Sequence, residues 1–129
     1  MTETGQHNKI LIVEDHPEVR KLLLIALQDP CREFLVAGNG EEAISQARRE
    51  KPDLILLDVM MPGGMNGFDV TRILKQDPVT AGCPIITMTA QIEDRDRALA
   101  IESGADDYIG KPFDLSELRK KILRLLPPS

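Results

Sequence analysis

The sequence contains no tryptophan, one tyrosine and three phenylalanines, so its core cannot depend on aromatic packing. Aliphatic side chains must fill that core instead, and hydrophobic residues make up 42% of the 129 positions. This supply is enough for one compact domain, and leucine, isoleucine and valine suit a sheet covered by helices.

Long apolar runs and an excess of positive charge are also missing. No run approaches the ~18 residues of a membrane span, and the polar N-terminus lacks the apolar core of a signal peptide. The net charge of −5 is not the excess of positive charge that proteins use to bind nucleic acid. We therefore expect a cytoplasmic protein with no direct binding to nucleic acid or membranes.

Cysteine is scarce as well, with only Cys31 and Cys83 in the chain. They form no closely spaced pair and no cluster with histidine, which disfavours a thiolate metal site. Two isolated cysteines are typical of free thiols in a reducing cytosol.

Five short apolar runs alternate with five segments of helical periodicity. The runs are continuously apolar, as in strands buried on both faces, and they cover residues 9–13, 34–37, 54–57, 85–89 and 108–109. Residues typical of helix ends flank the helical segments. Pro17 fits the first turn of the first helix, and Asn39 with Glu42 resembles a capping box at the start of the second. A third helix is predicted over 68–76 and a fourth over 95–103, followed by Gly104; Asp114 with Glu117 begins a last helix that Pro127 and Pro128 stop.

This alternation predicts a parallel sheet with right-handed crossovers. Five units fit a doubly wound, flavodoxin-like α/β fold with strand order 2-1-3-4-5 and helices on both faces. We expect one domain over residues 9–126, with a disordered tail at 1–8 and a C-terminal tail at 127–129.

Polar residues follow the predicted strands, at the edge where parallel sheets bind ligands. They are Glu14 and Asp15, Asp58, Thr89 and Lys111. Each has an ordinary explanation alone: acids at a helix N-terminus, a turn aspartate, a strand threonine and a solvated lysine. Together, the crowded carboxylates would raise one another's pKa, and a hard divalent cation such as Mg²⁺ would resolve their repulsion. A lysine and a threonine beside them suit phosphoryl transfer to a carboxylate.

The ordered set of motifs resembles the receiver domain of two-component response regulators. The matching segments are Ile10–Asp15, Asp53–Asp58, Met61–Pro62, Met88–Ala90 and Gly104–Phe113. The resemblance runs from about Lys9 to Leu126, and the set is highly specific although no single motif is.

The resemblance implies a role for each residue. Asp58 resembles the phosphoacceptor, which takes its phosphoryl group from a sensor histidine kinase or a histidine phosphotransfer protein. Mg²⁺ would be held by Glu14, Asp15, Asp58 and the backbone carbonyl of Met60, while Thr89 and Lys111 would engage the phosphoryl oxygens. Such a domain is a signalling module, not an enzyme, although it assists its own phosphorylation and dephosphorylation.

The resemblance also implies how the signal leaves the site. Thr89 and Tyr108 resemble a switch pair that changes the surface formed by the fourth helix, fifth strand and fifth helix, including the basic run 119–121. A downstream protein, an output domain or a second copy in a phosphorylation-dependent homodimer would read that change. The family further implies a cis Lys111–Pro112 peptide, whereas the sequence alone slightly favours trans.

Two departures and three alternatives remain. The loop Pro62–Gly67 is one residue longer than the family pattern and has Asn66 where aspartate is common. The fold could bind a flavin phosphate, but the acidic loop after the first strand would repel it. An aspartyl phosphatase or phosphomutase usually carries Asp-x-Asp at that place. A receiver fold used only as a constitutive docking module is the third alternative.

Overall fold

A computed structural model describes residues 8–90 and 94–126, which form a five-stranded parallel sheet flanked by helices. In chain order the elements are β1 (Asn8–Val13), α1 (Pro17–Ala26), β2 (Arg32–Ala37), α2 (Gly40–Glu50), β3 (Leu54–Asp58), α3 (Gly67–Gln76), β4 (Ile85–Thr89), α4 (Asp94–Ser103), β5 (Asp107–Gly110) and α5 (Leu115–Leu125). The strand order is β2-β1-β3-β4-β5 with parallel pairing throughout. The predicted flavodoxin-like fold is confirmed.

Both faces of the sheet are covered, because successive strand residues point to opposite sides. Helices α1 and α5 pack on one face, where Leu23 and Ile122 join Ile12 and Leu56 in a buried cluster. Helices α2 and α3 cover the other face, and α4 lies beside α3 through Ala100. All five residues of β3 are buried, which explains why residues 54–57 of this central strand are continuously apolar.

Helix ends follow the sequence signals only in part. Pro17 is the first residue of α1, and Gly104 ends α4 with a φ of 95°, both as predicted. The Asn39 side chain accepts from the Glu42 N–H at 2.9 Å, but Glu42 bonds back to the Gly38 N–H instead of that of Asn39. The predicted capping box is therefore only half formed: the bond to the Glu42 N–H is present, but the predicted return bond from Glu42 to the Asn39 N–H is wrong.

The complete reciprocal box lies at α3, which the sequence analysis did not predict. Asn66 accepts from the Asp69 N–H at 2.9 Å, and Asp69 accepts from the Asn66 N–H at 3.1 Å. At α5 the Asp114 side chain accepts from the N–H of Ser116, at 2.8 Å, and not from that of Glu117.

Element boundaries differ from the prediction by one or two residues. Asn8, expected in a frayed tail, is the first residue of β1, because its N–H donates to the Cys31 carbonyl at 2.9 Å. The rest of the predicted tails, including Pro127 and Pro128, lies outside the described residues.

Both cysteines are free thiols. The Cys83 thiol donates to the Pro52 carbonyl at 3.1 Å, and burial raises its pKa to about 12. Over residues 8–90 and 94–126, every helix is too short or too polar to cross a bilayer.

Candidate functional site

The predicted site residues meet at the carboxyl edge of the sheet because three strands end there. Glu14 and Asp15 follow β1, Asp58 is the last residue of β3, and Lys111 follows β5. In the parallel register Val13 pairs with Leu57, one residue before Asp58, so the acids of the two strands end at the same level.

Lys111 joins the two buried carboxylates of the site. Its Nζ lies 2.9 Å from Glu14 Oε1 and 3.2 Å from Asp58 Oδ2. Its backbone N–H donates to the Thr89 carbonyl at 2.7 Å, which fixes the start of the loop after β5. The Lys111–Pro112 peptide is cis, as the family resemblance implied.

Asp58 is almost completely buried, with only 2% of its surface exposed. Its Oδ1 accepts the Met60 N–H at 3.1 Å. Its Oδ2 is buried and accepts no hydrogen bond from the described residues, although the Lys111 ammonium is near. Burial raises the pKa of Asp58 to about 6, and the negative charge of Glu14 acts in the same direction. The expected effect of crowded carboxylates is therefore found at Asp58.

Glu14 shows the opposite shift, so the same expectation is wrong there. Burial alone would raise the pKa of Glu14, but hydrogen bonds from Lys111 and His16 outweigh it and hold the pKa below its usual value. The His16 N–H adds a bond to Glu14 Oε2 at 3.2 Å. Glu14 is thus the ionised partner of the pair.

His16 is a member of the site that the sequence analysis missed. Its Nδ1 lies 3.1 Å from Glu14 Oε2 and 3.3 Å from Asp15 Oδ1. The hydrogen bond to Glu14, together with the charge of Asp15, raises the pKa of His16. One ligand atom from each of Glu14, Asp15, His16 and Asp58 lies within 4.8 Å of the others. The available signal was the direct adjacency of this histidine to the acid pair.

Gly67 is the second residue that the analysis missed. A Cβ built there would lie 2.6 Å from the Asp58 carbonyl oxygen and 2.7 Å from Val59 Cα, so a side chain does not fit. The Gly67 N–H also donates to the Val59 carbonyl at 2.8 Å. The start of α3 is therefore packed directly on the backbone that carries Asp58, and Asn66, where the family often has aspartate, caps this helix.

Thr89 lies beside the carboxylate cluster, while Tyr108 lies outside it. Thr89 is the buried last residue of β4, one position beyond Met88, which pairs with Asp58. Tyr108 is half-buried on β5, and its ring centroid lies 6.0 Å from the Arg97 guanidinium carbon and 5.8 Å from Lys121 Nζ.

The basic run on α5 does not form one surface. Arg119 donates to the Ala26 carbonyl at the end of α1, at 3.0 Å. Lys121 instead bonds to Asp107 on β5 at 3.0 Å, and Lys120 is exposed. Of these three residues, Lys121 is the one that contacts the β5 edge.

The donor set fits a hard divalent cation. Carboxylates are preferred Mg²⁺ ligands, and the buried, unbonded Oδ2 of Asp58 is an acceptor left without a hydrogen bond by the described residues. Met60 is placed next to the cluster by its N–H bond to Asp58.

Comparison with known proteins gives one consistent family. A family model described as the response regulator receiver domain matches residues 10–123. The DNA-binding response regulator MtrA of Mycolicibacterium smegmatis is 43% identical over 114 residues, which are 88% of this chain and 48% of MtrA. The transcriptional regulatory protein PhoP of Bacillus subtilis is 39% identical over 120 residues, covering 93% of this chain and 49% of PhoP.

Solved structures that resemble this chain also include receiver domains. The chemotaxis protein CheY4 of Vibrio cholerae superposes with a TM-score of 0.85 at 29% identity, covering 93% of this chain and 99% of CheY4. The receiver domain of a sensor histidine kinase from Pseudomonas aeruginosa, solved with a magnesium ion in its active site cleft, has a TM-score of 0.83 at 29% identity, over 92% of this chain and 97% of that one. The chain spans about half the length of the curated relatives it matches.

Proposed function

This chain belongs to the response-regulator receiver domain family, whose members are signalling domains, and on that premise we propose that Asp58 accepts a phosphoryl group. The observation that carries the proposal is the state of Asp58 Oδ2, which is buried, makes no hydrogen bond to the described residues and lies 3.2 Å from Lys111 Nζ. An oxygen with available electron pairs beside a fixed cation suits attack on a phosphoryl group.

In the proposed step, Asp58 Oδ2 forms a bond to phosphorus while the bond from phosphorus to the donor's histidine nitrogen breaks. The electron pair of that bond remains on the imidazole, which takes up a proton. Lys111, anchored by Glu14 at 2.9 Å, neutralises the arriving phosphoryl oxygens, and the Thr89 hydroxyl donates to one of them. Bound by Glu14, Asp15, Asp58 and the Met60 carbonyl, Mg²⁺ would supply the remaining positive charge. Water attack on the acyl phosphate in the same environment would reverse the modification.

The proposed donor is a sensor histidine kinase or a histidine phosphotransfer protein in the cytoplasm. Thr89 then moves towards the new charge, and Tyr108 follows into the space behind β4, which changes the α4-β5-α5 surface. Relatives of twice this length are named DNA-binding response regulators. We propose that the surface controls an output domain, a separate target or a second copy, without direct nucleic-acid contact by this acidic domain.

The proposed function is tested by covalent labelling with acetyl phosphate and Mg²⁺, read by intact mass. The wild-type chain should gain one phosphoryl group, and Asp58→Asn should gain none. Asp53→Asn is the matched control, since Asp53 precedes the other end of β3 and accepts the Lys9 N–H. Labelling of Asp58→Asn at the wild-type level would refute the assignment, and absence of labelling in the wild type would favour the constitutive docking module.

A separate variant tests the metal. Asp15→Ala should raise the Mg²⁺ concentration needed for half-maximal labelling, while leaving the urea midpoint unchanged or higher because carboxylate repulsion is relieved. A lower midpoint with an unchanged Mg²⁺ dependence would show that Asp15 has a structural role only.

A further inference from the structure

The ring of Tyr108 lies between two cations that belong to different helices. Its centroid is 6.0 Å from the guanidinium carbon of Arg97 on α4 and 5.8 Å from Lys121 Nζ on α5. A cation within about 6 Å of an aromatic centroid is attracted by the negative face of the ring. Because α4 and α5 lie on opposite faces of the sheet, the cations reach the ring from both sides of the edge strand β5.

Lys121 is held beside the ring by the residue that precedes Tyr108. Its Nζ bonds to Asp107 Oδ1 at 3.0 Å, and the same oxygen accepts the Tyr108 N–H at 2.8 Å. The side chains of Lys121 and Asp107 are only 19% and 15% exposed. A cation–π contact is stronger where the cation is partly withdrawn from water. Since the ion pair already orders the lysine chain, the contact with the ring requires little further ordering.

The remaining contacts of the Tyr108 ring are apolar. The ring packs against the cluster formed by Val59, Phe68 and Ala100 between α3 and α4. Apolar burial is non-directional and scales with the area removed from water, so it does not select between two ring positions that bury similar areas. The two cations therefore supply the directional part of the interaction that favours the ring position between α4 and α5.

We propose that Arg97 and Lys121 are positioning residues that hold the Tyr108 ring between α4 and α5 and so set how readily the domain switches. The link to switching rests on the proposed function, in which the ring moves into the space behind β4. That movement takes the ring away from both cations. By linkage, contacts that favour the outer ring position weaken the binding of a phosphoryl mimic at Asp58 by up to the same factor.

A double-mutant cycle tests the contact in the whole chain, without metal or phosphoryl group. Urea unfolding is compared for wild type, Arg97→Gln, Tyr108→Leu and the combined variant. Arg97→Gln should raise the equilibrium constant for unfolding roughly two- to fivefold in the wild-type background, and leave it unchanged in the Tyr108→Leu background. Arg97→Lys, which keeps a cation, should restore most of the stability. Lys121→Gln supplies a second cycle with the same expectation.

The affinity for beryllofluoride in the presence of Mg²⁺ tests the link to the switch, with the amide NMR signal of Val59 as the reporter. Arg97→Gln should raise this affinity roughly two- to fivefold, because the outer ring position is then less favoured. The rise should be absent in the Tyr108→Leu background, where no ring can be held. Arg49→Gln is the matched control for loss of charge, since Arg49 is also an exposed arginine and lies on α2.

The outcomes separate this proposal from the proposed function. Additive cycles for both cations would overturn the contact. An affinity that does not change, or a rise that persists in Tyr108→Leu or is equalled by Arg49→Gln, would overturn the link to the switch. If Asp58 is labelled but both cycles are additive, only the positioning role of the cations fails. If the wild type neither accepts a phosphoryl group nor binds beryllofluoride while the cycles are non-additive, the proposed function fails, the contact stands, and its role in switching falls.

Discussion

Replacing Asp58 by asparagine should stabilise the metal-free fold. Burial, with the charge of Glu14 beside it, raises the pKa of Asp58 from 3.8 to about 6, so its ionised form is unfavourable in the folded state. That difference of about 2, at about 1.4 kcal/mol for each pKa unit, corresponds to about 3 kcal/mol. An amide resembles the neutral carboxyl group and keeps an oxygen for the Met60 N–H, so most of this free energy should be recovered.

The gain should depend on pH in a definite direction. A carboxyl group whose pKa is higher in the folded than in the unfolded state contributes stability below the unfolded value, and that stability is lost as pH rises through the folded value. The two proteins should therefore be about equally stable below pH 3.8, diverge between 3.8 and about 6, and differ by a constant amount above that range.

Urea unfolding in EDTA, followed by circular dichroism from about pH 3.5 to about pH 8, measures this difference. Glu14→Gln is the matched comparison and should be destabilising near neutral pH, because the pKa of Glu14 is lowered and its charge bonds to Lys111. That loss should shrink as pH falls below the ordinary value of 4.5 towards the lower pKa of Glu14 in the folded state. A pH-independent gap, or an Asp58→Asn variant less stable than wild type near pH 8, would falsify the reasoning.

Two further substitutions test the packing and the switch. Gly67→Ala should lower the free energy of unfolding by about 2 kcal/mol, since its Cβ would meet backbone atoms at 2.6 and 2.7 Å. Gly64→Ala is the control, because a Cβ at Gly64 would have no atom within 4 Å. Equal urea midpoints for the two variants would contradict the expectation. Thr89→Ala should still be labelled at Asp58, but beryllofluoride should then shift backbone NMR signals only around the site; wild-type shifts on β5 and α5 would show that Thr89 does not transmit the change.

Most of the fold could be predicted because burial leaves a direct mark on the sequences of the central strands β1, β3 and β4. The runs at Ile12 and Leu56 are continuously apolar, as expected for strands covered on both faces. Helix caps were less predictable, since the same residue types allow several bonds. The Asn39 side chain accepts from the Glu42 N–H as expected, yet the complete capping box lies at Asn66, in a loop whose sequence stood out only for its length and for this asparagine.

The residues of the site could be predicted from the sequence, whereas the pKa shifts of those residues could not. Glu14, Asp58 and Lys111 meet because parallel strands end at one edge, which the alternation of elements predicts. The pKa of Glu14 depends on a contact with a lysine 97 residues away, and no local pattern gives that distance. The contact of Gly67 with the Asp58 backbone is likewise a consequence of how α3 docks.

The central position of β3 has a consequence for the dynamics of the acceptor. The strand pairs with β1 and β4, and all its residues are buried, so its amide protons should exchange only in the rarest openings of the domain. Two residues beyond Asp58, Met60 is 68% exposed in a loop. Asp58 therefore sits at a boundary between the slowest and the faster-exchanging parts of the chain. A phosphoryl group on Asp58 would therefore be attached to a rigid strand, while the hydrogen bonds of the adjoining loops should open many times for each opening of β3.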